Sequence, residues 1–311
     1  MVKPLKKIRQ EFADTMLEVG LADPNLVVLV GDISHFALVP FAQACPHRFY
    51  NVGICEPTIV NMAAGLAKTG FYPVVHTITP FIVERSFEQI KLDFGYQKLG
   101  VNIISVGGAF DYVGLGCSHH CYDDFALLKQ IEGTQILYPA SCLEFNSLFK
   151  QTYNNGVITY IRIPEHQHGI DFDEKQIVFG KGILIKPGKN LTIVATGPHL
   201  GTVLKTLVEI EKIGLNPEII YLHTLKPLDL DMISTSVQKT RRCLVIEEHS
   251  MYGGLFDDIL RGLKDLESIK YAGINIGERF IHEYGTYQEI CDMLGFSSFG
   301  IIKKIKKELA I

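Results

Sequence analysis

The chain has 311 residues, 47% of them hydrophobic and 21% charged, with a formal net charge of −4. That length accommodates two ordinary α/β domains, and the mild acidity excludes sequence-independent nucleic-acid binding. No run of about eighteen apolar residues occurs, so no membrane span is expected; the seven scattered cysteines, an odd count, fit a reducing cytoplasm better than a disulfide framework.

MVKPLKKIRQEFADTML has no long apolar core behind its basic start, so it predicts an amphipathic helix over 5–20 rather than a signal peptide. LVVLVGD (26–32) is a continuous apolar run ending in Gly-Asp, the pattern of a buried parallel strand. A helix is expected over 56–69, a strand over 71–78, a helix over 81–98 and a strand over 101–108. Helices over 122–131 and 142–154 then alternate with strands over 135–140 and 157–164. The polar stretch PEHQHGIDFDEKQ (164–176) reads as a linker. Beyond it, strands are expected over 191–197, 217–223 and 242–249, with helices over 199–214, 253–264 and from about 298. The result is an α/β chain of two doubly wound domains, 1–165 and 180–311, joined by a linker over 166–179. Lys3, Lys6, Lys7 and Arg9 near one end, and Lys303, Lys304, Lys306 and Lys307 near the other, read as solvated helix faces.

Sites in open α/β sheets lie beyond the C-terminal ends of the strands, which directs attention to three segments. In Asn51-Val52-Gly53-Ile54-Cys55-Glu56 the glycine permits a tight turn and Glu56 falls at a helix start, where the dipole and free N–H groups favour a carboxylate. Read by itself, Glu56 is a helix cap or a functional acid. In GLGCSHHCYDDFA (114–126) adjacent histidines are suited to proton transfer or substrate hydrogen bonding. Cys117, His119, His120 and Cys121 have the atom types of a zinc site, but so short a segment converges poorly on one tetrahedral ion, and no metal ligand is assigned. Phe81, Phe87 and Phe94 have partly helical spacing around Arg85, which implies packing for most of them; Phe81, after a Thr-Pro turn, is the one placed to face a site. No P-loop and no G-x-G-x-x-G helix start is present.

The order RFYNVGICEP (48–57), TPFIVERSFEQIKLD (79–93), GLGCSHHCYDD (114–124), LYPAS (137–141) and YIRIP (160–164) resembles the pyrimidine-binding domain of transketolases. GKGILIKPGKNLTIVATG (180–197), LHTLKPLD (222–229), LVIEEHSMYGGL (244–255) and GINIGERFIHEYG (273–285) resemble the transketolase C-terminal domain. The resemblance implies a thiamine-diphosphate-binding pyrimidine fold followed by a C-terminal-domain fold. It also implies ketol transfer between sugar or sugar-phosphate substrates. A separate N-terminal subunit would carry the diphosphate and Mg2+ site, because this chain has no Gly-Asp-Gly motif, and self-association into an α2β2 assembly would follow. By matching position, Glu56 and Phe81 correspond to cofactor-binding residues, with Arg85 beside them, and Glu56 and His119 to catalytic ones. His119, His120 and Arg162 correspond to substrate contacts, Arg162 to a sugar phosphate. Cys55 and Pro57 stand where alanine and glutamine are usual and His120 where glutamine is, and two further departures bear on the donor: Leu115 replaces an aspartate that contacts a donor hydroxyl, and Gly107 stands where a further histidine is usual. The competing readings are the beta subunit of a 2-oxoacid dehydrogenase first component and a non-catalytic subunit that keeps the fold.

Overall fold

A computed structural model describes residues 6–309; Lys3 and the expected helix start at residue 5 lie outside them. The first part of the chain supplies β1 (Leu26–Val30), β2 (Phe49–Asn51), β3 (Tyr72–Ile78), β4 (Val101–Val106), β5 (Gln135–Leu137) and β6 (Ile158–Ile163). The second supplies β7 (Ile183–Lys186), β8 (Leu191–Thr196), β9 (Pro217–Leu222), β10 (Thr224–Lys226), β11 (Arg242–Ile246) and β12 (Lys270–Ile274).

One sheet has the order β10-β5-β6-β4-β3-β1-β2 and the other β12-β11-β8-β9-β7. Both are parallel except at one edge each, where β10 runs antiparallel to β5 and β7 antiparallel to β9. Every residue of β1, β4, β6, β8 and β9 is buried. That is why these strands read as mostly apolar runs without alternation: helices cover both faces of a parallel sheet. The segment between β6 and β7 contains only one short helical turn, Glu174–Gln176, among its described elements. It is fastened to the helix Cys142–Thr152 by Gln151, whose amide donates to Ile177 O at 2.9 Å and accepts from Phe179 N at 2.8 Å.

Two features differ from the sequence reading. β10, from the second half, completes the first sheet, so the halves share hydrogen-bonded backbone. The helix expected over 81–98 is interrupted: Thr79–Val83 is followed by a break at Glu84–Ser86, then Phe87–Gln89 and a π-helical stretch Ile90–Tyr96. Ser86 Oγ donates to Phe81 O across the break, an alternative to the helical ladder that serine side chains readily offer. The break turns Arg85 away from a regular helical position.

Candidate active site

Gly53, at φ +82°, makes the turn after β2, and Cys55 N donates back to Gly53 O at 2.8 Å. The helix Glu56–Lys68 then starts with proline next to Glu56, a position where the missing N–H costs nothing. Glu56 is 1% exposed, so its carboxylate is held at a helix N-terminus without solvent, where the dipole favours negative charge. Arg85 Nη1 donates to Glu56 Oε2 at 2.9 Å, and its guanidinium lies 4.4 Å from the centre of the Phe81 ring. The other neighbour of that ring is His119, edge-on with centroids 5.3 Å apart and planes at 71°. Glu56, Phe81, Arg85 and His119 therefore form one contiguous group drawn from three segments of the chain. A buried acid, an aromatic ring and an imidazole side by side provide an acceptor, an apolar surface and a proton carrier for a heteroaromatic ligand.

His119 is half-buried, and its Nδ1 is 3.0 Å from Ser118 Oγ. His120 turns inward: it is 4% exposed and its Nδ1 meets Tyr122 Oη at 2.7 Å. Burial depresses its pKa, with the Tyr112 backbone carbonyl acting in the opposite direction. Cys117 is exposed, whereas Cys121 is buried with Asp123 and Glu84 beside it. Burial, followed by the Asp124 and Glu84 charges, pushes the Cys121 thiol far above its usual range.

The two departures from the family pattern have different surroundings. Leu115 is exposed. Gly107 has φ +71°, and a Cβ there would lie 2.3 Å from the Tyr112 ring. Tyr112, held by Arg9, fills the space that a larger side chain at 107 would need.

Arg162 corrects the sequence reading. It has no accessible surface, so it cannot meet a sugar phosphate in this conformation. Its Nη1 donates to Glu248 O at 3.1 Å and to Asp124 Oδ1 at 3.4 Å, and its Nη2 lies 3.6 Å from Glu248 Oε2. The guanidinium lies 4.8 Å from the centre of the Phe125 ring and 4.6 Å from that of Tyr138. Burial raises the Asp124 pKa, while Arg162 and Tyr160 oppose that rise. Burial would do the same to Glu248, but His199 and Arg162 hold its carboxyl below the usual range. Arg162 is thus a clamp between the helix that follows the histidine loop and the loop after β11. Sequence reasoning also passed over Tyr122 and Ile281, whose mutual contact carries no local pattern.

Two stretches of the chain match known families: residues 6–169 match the transketolase pyrimidine-binding domain, and residues 180–301 the transketolase C-terminal domain. An apulose-4-phosphate transketolase subunit of Phocaeicola vulgatus is 30% identical over 302 residues, 95% of either chain. A 6-deoxy-6-sulfo-D-fructose transketolase subunit of Clostridium sp. is 28% identical over 250 residues, 80% of this chain and 78% of the relative. Among solved structures, a split-gene transketolase, described as an inactive beta4 tetramer, superposes with a TM-score of 0.87 at 26% identity over 98% of each chain. With both domain types matched in order and a relative of 30% identity aligned along nearly all of its length, the chain belongs to the transketolase family.

Proposed function

We propose that this chain is the pyrimidine-domain subunit of a two-polypeptide, thiamine-diphosphate-dependent ketol transferase of the cytoplasm. The observation that carries the reading is the contiguous group of Glu56, Phe81, Arg85 and His119, in which Arg85 links a carboxylate withheld from solvent to an aromatic ring. These residues fit the pyrimidine half of the cofactor: Glu56 and Arg85 supply polar contacts, and Phe81 an apolar face. Thiamine diphosphate, when bound, supplies a carbon acid able to receive and pass on a two-carbon ketol unit. Glu56 holds a proton or hydrogen bond at the pyrimidine, and His119 moves a proton at a substrate hydroxyl.

The diphosphate and Mg2+ are assigned to a partner subunit, since this chain has no Gly-Asp-Gly motif. Two copies of each subunit would complete the assembly. Leu115 offers no hydrogen bond to a donor hydroxyl, and Tyr112 fills the space at Gly107, which favours a sugar-like donor less polar there than an ordinary ketose phosphate.

Calorimetry with thiamine diphosphate and Mg2+ tests the reading, first on this chain alone and then on its mixture with the N-terminal polypeptide. Binding is expected only in the mixture. Glu56→Gln should leave binding within about tenfold yet lower turnover by roughly 10²–10⁴, the usual size of a general acid–base contribution. Tight binding by the chain alone, or full turnover by Glu56→Gln, would refute it.

A further inference from the structure

Tyr122 joins the histidine loop to the second half of the chain at two points. Its backbone carbonyl accepts from Ser250 N at 2.7 Å, in the loop after β11. Its hydroxyl oxygen accepts from Ile281 N at 3.3 Å, beyond β12. The same hydroxyl is 2.7 Å from His120 Nδ1. On the other side, Cys121 N donates to Ala109 O at 3.0 Å. The loop that presents His119 and His120 is therefore held between the two halves at consecutive residues.

The hydrogen-bond inventory sets the direction of the contact. A phenol has one proton to give. Burial pushes the Tyr122 hydroxyl up to about 12, so that proton stays in place at neutral pH. With Ile281 N–H donating to the oxygen, the nearest acceptor for the phenolic proton is His120 Nδ1. A ring that accepts at Nδ1 carries its own proton at Nε2. Among the described residues His120 Nε2 makes no hydrogen bond of normal geometry, although the ring is 4% exposed and the Tyr112 backbone carbonyl bears on it. A buried, unpaired N–H is uncommon and calls for an explanation such as a ligand acceptor or an ordered water.

We propose that Tyr122 is a positioning residue that fixes His120 as an Nε2–H donor, with its orientation set from the second half of the chain through Ile281. The donor so fixed suits a neutral oxygen, a backbone carbonyl such as that of Tyr112 or the carbonyl or hydroxyl of a sugar-like substrate. This rests on the reading of the histidine pair as substrate-facing, but the tautomer itself can be measured without that reading.

The test is a long-range ¹H–¹⁵N correlation spectrum of the full-length chain labelled with ¹⁵N-histidine, at pH 7.5. Wild-type His120 should show one protonated nitrogen, Nε2. In Tyr122→Phe the ring should become a mixture of tautomers, with His119 unchanged. A wild-type Nδ1–H tautomer, or an identical His120 spectrum in Tyr122→Phe, would overturn the proposal, and the wild-type spectrum requires no variant to fold. In the reconstituted enzyme, Tyr122→Phe should lower kcat at least tenfold with little change in KM, and His120→Gln, which keeps an N–H donor, should retain more activity than His120→Ala. If the wild-type tautomer is as expected but the pair transfers no ketol unit, the functional reading fails and the positioning role stands.

Discussion

Replacing Arg162 with methionine separates a clamp from a phosphate-binding residue. Methionine refills much of the volume but removes the charge that compensates Asp124 and Glu248, which are 0% and 1% exposed. Breaking a buried ion pair from one side costs about 3–5 kcal/mol, and loss of the contacts with Phe125 and Tyr138 adds about 1 kcal/mol. At a urea slope of about 3 kcal/mol/M, the midpoint should fall by more than about 1 M at pH 7.5. The loss should be smaller at pH 5.5. Burial already raises the Asp124 pKa, and removing the guanidinium raises it further. The native variant then holds a proton that the unfolded chain releases, so its stability declines as pH rises above the ordinary carboxylate range. Urea titrations followed by circular dichroism at both pH values measure this. A midpoint unchanged at both, together with a KM for a phosphorylated substrate raised tenfold or more, would refute the clamp and return Arg162 to the substrate.

Glu247, which accepts backbone N–H bonds from Leu255 and Phe256, has its carboxyl pushed up to about 7 by burial. The native state thus keeps a proton that the unfolded chain loses near its ordinary pKa, and stability should decline by about 2 kcal/mol between pH 5 and 7; Glu247→Gln should remove that slope, read from melting temperatures across the range. His249 behaves in the opposite sense: burial lowers its pKa to about 3, so its contribution is intact above about 6.5 and is lost as pH falls towards 3, by about 1.4 kcal/mol per pH unit, a slope that proton uptake on acid unfolding would report. Gly116 sits at φ +73°, ψ −166°, a region essentially confined to glycine, so Gly116→Ala should cost about 1–3 kcal/mol and displace His119, lowering kcat more than it raises KM. Leu115→Asp, at an exposed position, should leave stability within about 0.5 kcal/mol while raising kcat/KM at least tenfold for donors that carry a free hydroxyl near the transferred unit.

The central strands were legible because burial on both faces writes itself into sequence as a mostly apolar run, unbroken in Leu26–Val30 and interrupted only by small polar residues in Val101–Val106 and Leu191–Thr196. β2 and β12, short or half-exposed, leave no such trace, and β10 is three residues long. The break before Phe87 was hidden because Phe81, Phe87 and Phe94 keep partly helical spacing across it. The order of motifs brought Glu56, Phe81, Arg85 and His119 forward, and the structure places them together. Arg162 misled because a polar residue near a strand end looks the same whether it opens to a cleft or closes a core. Its partners, Asp124 and Glu248, are 38 and 86 residues away, beyond the range of any local pattern.

The pairing of β10 with β5 bears on how this chain can be divided. Severed in the polar segment between β6 and β7, the first fragment would keep its own helices and most of its sheet, but β5 would lose the neighbour that satisfies its outer N–H and C=O groups. A bare strand edge is a template for pairing with other chains, so that fragment expressed alone is expected to self-associate through β5. Mixing it with the second fragment, which brings back Thr224–Lys226, should restore a monodisperse species, and a synthetic peptide of that strand should partly suppress the association.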